Sequence, residues 1–368
     1  MNKIEFGNCI DIMQQWIDDG IKVNTCVTSP PYYGLRDYGT ATWEGGNPNC
    51  EHKGAKINPL KVGGFTGKRL RKENGSENEK YLSFKNVCPD CNAIKKDNQL
   101  GLEETPKQYI DNMVRVFRLV RELLTDDGTL WVNIGDSYAR TGGDSSQKGR
   151  HWDGRENNPI TGHNRYASDI GLKQKDLIGI PWMLAFALRE DGWYLRQDII
   201  WHKPNPMPES VRDRCTKSHE YIFLLSKSPK YYFDHLAIKE PAVSGKDLGL
   251  LRSVSHTDGS KVTWHSPSIQ KRKESGIDSK NAGDGMRNKR DVWSVNVKPY
   301  KGAHFATYPV ELIEPCIKAG CPDGGIVLDP FMGSGTTAQV AIANNKQYLG
   351  CELNEDYKHL QDKRIPLI

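Results

Sequence analysis

The chain has 368 residues, a net charge of +5 and 37% hydrophobic residues, which is typical of a globular protein of one or two domains. It contains no run of 18 apolar residues, which argues against a membrane span, and its N-terminal residues lack the apolar core of a signal sequence. We therefore expect a cytoplasmic protein without membrane association. Nine cysteines, unevenly spread in a reducing compartment, argue against a disulfide framework.

Positive charge is concentrated in two segments. Residues 53–72 contain seven Lys and Arg and no acidic residue, and residues 244–290 contain ten Lys and Arg against five acidic residues. A single basic segment is most often solvated surface. Two of them in one chain favour a surface that binds a phosphate backbone.

The first strand with a clear end has the sequence NTCVTS and is followed by Ser29, Pro30, Pro31 and Tyr32. Proline lacks the N–H that a strand ladder needs, so the two prolines end the strand and form a rigid turn. The sequence thus places a hydroxyl, a fixed backbone carbonyl and an aromatic ring at the tip of a strand.

Residues 40–100 are rich in Gly, Asn and Lys, and we predict that they form an insertion. They contain a C-x-H pair and a C-x2-C pair, formed by Cys50, His52, Cys88 and Cys91. Four nitrogen and sulfur ligands suit a closed, structural zinc site. The alternative is four unrelated surface residues, since the two pairs are far apart. We favour zinc because a segment with so few apolar residues cannot be held together by burial.

Helices and strands alternate through most of the remaining chain. Residues 104–128 predict a helix in which Thr105 and Gln108 form a capping box. Its apolar positions recur at helical spacing: Ile110, Met113, Phe117, Val120 and Leu124. Further helix–strand pairs follow, interrupted by the polar residues 139–168. This alternation predicts an α/β fold with a mostly parallel sheet.

The C-terminal segment combines a strand, the turn FMGSG, a helix and another strand. Gly333 and Gly335 allow the backbone to approach a ligand closely, and the free N–H groups at the helix start favour an electron-rich group. Glu352 ends the next strand, where a carboxylate can accept hydrogen bonds from ribose hydroxyls. We predict an adenosine-cofactor site. A turn without ligand and a dinucleotide site are alternatives, since residues 333–338 fit G-x-G-x-x-A.

Taken together, the motifs TSPPYYG and LDPFMGSGTT resemble those of the DNA amino-methyltransferases, which use S-adenosylmethionine to methylate exocyclic nitrogens of cytosine or adenine. Residues 29–32 match the family's catalytic tetrapeptide, and residues 329–335 match its cofactor motif. The catalytic motif comes first, as in the family's beta group. The resemblance implies a Rossmann-like methyltransferase fold with helices on both faces of the sheet, and it covers most of the chain outside the insertions.

The resemblance also implies a division into parts. Residues 1–39 and 101–238 form the catalytic half of the methyltransferase domain, and residues 301–368 form its cofactor-binding half. Residues 40–100 are a basic, zinc-binding insertion, and residues 239–300 are a target-recognition region that reads base edges. The implied partner is double-stranded DNA. A cognate restriction endonuclease is a candidate functional partner, and no oligomeric state is implied.

Roles for single residues follow from the same resemblance. The Ser29 hydroxyl and the Pro30 carbonyl are expected to grip the target amino group, and Tyr32 is expected to stack on the flipped-out base. The implied cofactor-binding residues are Asn8, His304, Asp329, Phe331, Gly333, Gly335, Thr336 and Glu352. Asn8 replaces the acid that is usual there. Tyr232 and Phe233 match an aromatic position at the base pocket, with core packing as the alternative.

The identity of the first tetrapeptide residue indicates the target base. Serine is commoner among N4-cytosine enzymes of this family, whereas Asp or Asn marks most N6-adenine enzymes, so we favour cytosine N4 over adenine N6. A nucleic-acid-binding protein without catalysis is disfavoured by the intact motifs. A nicotinamide oxidoreductase would leave the Ser-Pro-Pro-Tyr tip unexplained. RNA or a protein amide is a further alternative substrate, but the basic region between the motifs favours DNA.

Overall fold

The computed structural model describes residues 1–34, 40–50, 52, 55–56, 81–82, 87–88, 90–139, 170–242, 253–255, 261–263, 286–298 and 308–365. His304 and most of both basic segments lie outside these ranges. Among the described residues, no helix combines the length and the apolar character needed to cross a membrane.

Strands and helices alternate along the described chain. The strands are β1 (Asn2–Phe6), β2 (Val23–Thr28), β3 (Thr42–Glu44), β4 (Ala55–Lys56), β5 (Tyr81–Leu82), β6 (Ile94–Lys96), β7 (Leu124–Ile134), β8 (Tyr194–His202), β9 (His219–Ser226), β10 (Glu240–Pro241), β11 (Ser253–Ser255), β12 (Lys261–Thr263), β13 (Met286–Arg287), β14 (Val292–Ser294), β15 (Ile326–Asp329) and β16 (Gln347–Glu352). The helices are α1 (Cys9–Asp18), α2 (Pro106–Leu123), α3 (Ile180–Glu190), α4 (Val310–Gly320), α5 (Thr336–Ala343) and α6 (Lys358–Arg364).

Eight strands form the central sheet in the order β1-β16-β15-β2-β7-β9-β8-β14. Five of the seven neighbouring pairs are parallel, and β9 runs antiparallel to both of its neighbours. The predicted mostly parallel α/β sheet is confirmed. The edge strand β14 comes from residues that we assigned to the target-recognition region, so at least this part of the region belongs to the central sheet.

The order of the strands reverses between β15 and β2. From β15 the chain passes through α5 to β16 on one side, and from β2 it passes through α2 to β7 on the other. In open α/β sheets, ligands bind outside the carboxyl ends of the strands at such a reversal. Both predicted motifs begin at this position, one after β2 and the other after β15.

Helices cover both faces of the sheet, as expected. Helices α1, α2 and α3 pack against one face, and α4 and α5 pack against the other, so that two apolar cores sandwich the sheet. The predicted capping box is present: Thr105 Oγ1 accepts from the Gln108 N–H, and Gln108 Oε1 accepts from the Thr105 N–H, both at 3.2 Å. Leu124 differs from its predicted position, since it begins β7 instead of extending the helix.

Candidate active site

The Ser-Pro-Pro-Tyr turn directly follows β2, in the middle of the sheet. Its strand ends beside β7, with Thr28 paired to Val132. The Pro31 carbonyl accepts a hydrogen bond of 2.9 Å from the hydroxyl of Tyr109 in α2. A Cβ atom on Gly101 would lie 2.9 Å from the Tyr32 carbonyl oxygen, so the chain leaving the insertion packs tightly against the turn. The turn is therefore held by both the sheet and a helix.

The glycine turn after β15 has one side against helix α6. Gln361 Nε2 donates to the Gly333 carbonyl at 2.7 Å, and Arg364 donates to the Ser334 hydroxyl at 2.6 Å and also to Thr336. A Cβ on Gly335 would lie 3.1 Å from Ile365. Gly335 and Thr336 therefore contact the C-terminal segment and do not line the cleft, in contrast to our expectation that they contact the cofactor.

Asp329 is also placed differently from its predicted role. Its carboxylate is completely buried and accepts hydrogen bonds from the Thr28 hydroxyl at 2.6 Å, the Phe331 N–H at 3.0 Å and the Tyr308 hydroxyl at 3.0 Å. The Thr337 hydroxyl is a fourth donor. Burial raises the pKa of Asp329, and these donors oppose that shift. All four hydrogen-bond donors to Asp329 belong to the protein. Asp329 therefore joins the catalytic strand to the cofactor turn and does not face the cleft.

A cleft opens between the two turns at the carboxyl edge of the sheet. Of the predicted residues, it brings together Asn8, Ser29, Pro31, Phe331, Gly333 and Glu352, whereas Pro30 and Tyr32 belong to the same turn as Ser29 but do not line the cleft. Further lining residues that the sequence did not indicate are residues 98–100, Thr40, Ser334, Asn354 and Tyr357. Asn8 also caps α1, because its side-chain oxygen accepts from the Ile10 N–H at 2.9 Å. The cleft is thus bordered by the two motif turns, the start of α1 and the base of the insertion.

Tyr232 and Phe233 lie elsewhere, so the structure does not support our expectation that they line the base pocket. The Tyr232 N–H donates to the carbonyl of Asp127 near the start of β7, and the Phe233 ring stacks on Trp131. Because β9 is antiparallel to β7, the chain after β9 emerges at the amino edge of the sheet. Asp127 is five positions, or about 16 Å, along β7 from Val132, which pairs with Thr28 before the Ser-Pro-Pro-Tyr turn. Phe233 packs against the core, which is the alternative interpretation of these aromatic residues.

The four predicted metal ligands come together at the far end of the β3–β6 ribbon. The ligand atoms of Cys50, His52, Cys88 and Cys91 all lie within 4.8 Å of one another. The sulfur atoms of Cys50 and Cys88 are 3.7 Å apart, too far for a disulfide. Cys91 Sγ lies 3.6 Å from His52 Nδ1. Zn–S bonds of about 2.3 Å in a tetrahedron separate two sulfurs by about 3.8 Å, so the cluster has the size of a zinc site.

The profile of the DNA methylase family, which comprises N6- and N4-methyltransferases, matches residues 23–363. The chain belongs to this family. It is 39% identical to the type II methyltransferase M.Cfr9I of Citrobacter freundii, over 93% of this chain and 81% of that protein. It is 40% identical to the type II methyltransferase M.SmaI of Serratia marcescens, over 92% and 82% of the two chains.

The fold of this methyltransferase is also found among solved structures. The PvuII DNA methyltransferase (cytosine-N4-specific) aligns with a TM-score of 0.53 and 13% identity, over 100% of this chain and 86% of that one. The family identifies the protein as a DNA amino-methyltransferase that uses S-adenosylmethionine.

The cleft of the methyltransferase fits such a cofactor. Gly333 has φ +54°, and a Cβ at this position would meet no atom closer than 3.9 Å, so the backbone is open to a ligand here. Glu352 accepts from the Gly333 N–H at 2.7 Å and from the Asn354 N–H at 2.8 Å. The residue is only 8% exposed, and burial raises the pKa of its carboxyl group to about 7. A buried carboxyl group that borders an open backbone turn suits the ribose of the cofactor.

The first prediction concerns Gly333. Gly333→Val should weaken S-adenosylmethionine binding at least tenfold, because the side chain would occupy the open space beside the turn. Isothermal titration calorimetry measures the affinity. Valine at positive φ is strained in any protein, so Gly324→Val is the matched control: Gly324 has φ +71°, no atom within 4 Å of its Cβ position and no part in the cleft. Equal loss of affinity in both variants would contradict the prediction.

The second prediction concerns pH. The folded protein keeps the Glu352 proton up to about pH 7, whereas an unfolded chain loses it near 4.5. The contribution of Glu352 to the free energy of unfolding should therefore fall as pH rises through this window. Cofactor affinity should rise through pH 7, because the ionised carboxylate is the stronger acceptor for hydroxyls. Denaturant unfolding and calorimetry between about pH 5 and about pH 8, from about two units below that pKa to about one unit above it, test both effects. Glu352→Gln should flatten both curves, and an unaltered pH dependence would refute the assignment.

Proposed function

We propose that this enzyme transfers the methyl group of S-adenosylmethionine to the N4 amino group of a flipped-out cytosine in double-stranded DNA. The observation that carries the proposal is the position of Ser29 in the cleft, beside the glycine turn. A serine in the first tetrapeptide position favours cytosine N4. Adenine N6 is the alternative, and the same geometry would serve it.

The proposed chemistry needs acceptors and alignment. The lone pair of an exocyclic amino group is delocalised into the ring, and acceptors that hold its N–H groups draw the nitrogen toward tetrahedral geometry. The Ser29 hydroxyl and the Pro30 carbonyl are the proposed acceptors. The cofactor supplies an activated methyl group, so the protein mainly holds the nitrogen in line with it. A covalent cysteine is not needed, and Cys316, which follows Pro315, is buried inside α4.

The target amino group is inaccessible inside a duplex, so the base has to leave the stack. Unstacking costs a few kcal/mol, and stacking on an aromatic ring offsets about 1–3 kcal/mol of it. Tyr32 is the proposed stacking partner. Both M.Cfr9I and M.SmaI are named type II methyltransferases, and we extend the proposal to a restriction–modification pair with a cognate endonuclease.

The third prediction tests the reaction. The protein is incubated with labelled S-adenosylmethionine and unmodified genomic DNA, and the digested nucleosides are analysed by mass spectrometry. We expect N4-methylcytosine. Tyr32→Ala should retain cofactor binding and lose most of the transfer, because the base loses its stacking surface. Tyr194→Ala, which removes an exposed tyrosine at the start of β8, is the control and should stay active.

Three other outcomes would change the proposal in different ways. N6-methyladenine would retain the mechanism and overturn the choice of base. No modified DNA base despite bound cofactor would contradict DNA as the substrate and favour RNA or a protein amide. Normal turnover of Tyr32→Ala would remove Tyr32 from the base pocket.

We also propose that Cys50, His52, Cys88 and Cys91 bind one structural zinc ion. The support is the size of the cluster and the shape of its loop. The Cys88 N–H donates to Ala93 and the Asn92 N–H donates to Cys88, both at 2.8 Å, which folds the C-x2-C pair into a tight turn. A Cβ on Gly46 would lie 2.7 Å from Cys91 Sγ, so the two halves of the insertion are closely packed here.

The fourth prediction tests this metal. Elemental analysis should find about one zinc per wild-type chain. Cys88→Ser should release this zinc and destabilise the insertion, because the ribbon loses its cross-link. Proteolysis within residues 40–100 should then become faster. Cys215→Ser, which changes an exposed cysteine outside the cluster, is the control. A wild-type protein free of zinc after purification without chelators would refute the proposal.

A further inference from the structure

We propose that Glu220 is a positioning residue that fixes the ring of Tyr32 for methyl transfer by accepting a hydrogen bond from its hydroxyl. The inference rests on the proposed function of Tyr32 as the stacking surface for the target base. Glu220 lies in β9, 188 residues from Tyr32 in the chain. Neither motif includes it, and the sequence gives no periodic signal for it.

The hydroxyl of Tyr32 is held by groups from two strands. It donates to Glu220 Oε2 at 2.7 Å, and Asn133 Oδ1 of β7 lies 3.3 Å away. The Asn133 amide is oriented in turn, since its Nδ2 donates to the Tyr221 carbonyl at 3.1 Å. Tyr32 is thus attached at its backbone to the turn after β2 and at its hydroxyl to β7 and β9, and the Ser29 side chain of its own turn also hydrogen-bonds the hydroxyl.

The edge of the ring is confined as well. A Cβ on Gly135 would lie 2.8 Å from Tyr32 Cε2 and 3.2 Å from Glu220 Cδ. The backbone of Gly135 therefore fills the space between the tyrosine ring and the glutamate, and any side chain there would displace one of them. The ring cannot shift toward β7, and its hydroxyl bonds resist a shift away from it.

Charge determines the direction of the hydrogen bond. Lys203 forms an ion pair with Glu220 Oε1, and the two side chains are only 18% and 16% exposed. The ammonium group also lies 4.3 Å from the centroid of the Trp201 ring. An ionised carboxylate only accepts, so the Tyr32 hydroxyl has to donate. Burial and the nearby Glu220 charge raise the pKa of Tyr32, which keeps the proton on the hydroxyl.

We call the contacts of Glu220, Asn133 and Gly135 with Tyr32 the clamp. Its geometry is better explained by the need to orient a stacking surface than by a contribution to stability. In a mostly buried ion pair the desolvation of both groups offsets much of the attraction, so the intact pair contributes little net stability, whereas displacing a reacting group by about 1 Å can cost about 100-fold in rate. Fixing Tyr32 fixes the plane of the base on it. The amino group then meets the Ser29 hydroxyl and the Pro30 carbonyl in one orientation.

The test is a double-mutant cycle of Tyr32→Phe and Glu220→Gln, which keep the shapes of both side chains. Turnover on saturating unmodified DNA, cofactor affinity and melting temperature are measured for all four proteins. Each single variant should lower kcat about tenfold with cofactor affinity unchanged. The melting temperature should stay the same for Tyr32→Phe and fall for Glu220→Gln, which leaves the mostly buried Lys203 without its carboxylate. The double variant should be no slower than Tyr32→Phe, because Glu220 acts only through the hydroxyl. Losses that multiply to about 100-fold would overturn the clamp, as would a kcat loss in Tyr32→Phe that is matched by lost stability.

Two further variants complete the experiment. Gly135→Ala retains the Tyr32 hydroxyl and the Glu220 carboxylate but pushes the ring or the glutamate out of position. It should lower kcat by a similar factor, which keeps the proposal testable if Glu220→Gln folds poorly. Asp213→Asn removes an exposed ion pair with Lys175 and should leave kcat unchanged. Full activity of Gly135→Ala would contradict the clamp.

An error in the proposed function can be distinguished from an error in the clamp. A wild-type protein that methylates no DNA base overturns that function, and the clamp is then read from tyrosine ionisation alone. An ultraviolet difference titration of wild type against Tyr32→Phe follows the Tyr32 hydroxyl. Glu220→Gln should move its ionisation to lower pH, because the neighbouring negative charge is gone. An unchanged titration would show that the carboxylate does not hold the hydroxyl.

Discussion

The buried carboxylate of Asp329 joins the two halves of the active site, and the relative position of both turns depends on it. A buried charge is unfavourable unless it is well hydrogen-bonded, and here four donors compensate, from Thr28, Tyr308, Phe331 and Thr337. Ser29 directly follows Thr28, and the glycine turn directly follows Asp329. Any relative movement of the two turns would therefore leave a buried carboxylate short of donors.

Methyl transfer makes such a link useful. The acceptors after β2 hold the nucleophile, the turn after β15 borders the cofactor cleft, and the reaction needs the two in line. Helix α6 supports the glycine turn from behind through Gln361 and Arg364, so the turn cannot yield away from the cleft. The pieces of the site come from distant parts of the chain, but each is tied to a neighbour by buried or half-buried hydrogen bonds.

The features that could be predicted from the sequence are local ones. The capping box of α2 needs residues three apart, and the strand–turn–helix around Gly333 needs one short segment. The Thr28–Asp329 bond joins residues 301 apart, and no pattern indicates it. The base-pocket assignment of Tyr232 and Phe233 failed for a topological reason, because the reversed direction of β9 sends its following segment to the opposite edge of the sheet. Likewise, Gly335 and Thr336 fit the motif, but the C-terminal helix occupies their side of the turn.

The insertion shows how a segment with little apolar content can still contribute to a precise site. Its ribbon pairs β3 with β6, and its base reaches the cleft through Thr40 and residues 98–100. Glu103 accepts from the Gly101 N–H at 2.8 Å and from Asn112 of α2 at 3.1 Å, which anchors the ribbon at its C-terminal end. The cysteine and histidine cluster lies at the other end. With the proposed zinc bound there, both ends of the ribbon are fixed, and the ordering entropy of the cleft wall is offset by metal ligation instead of by a hydrophobic core.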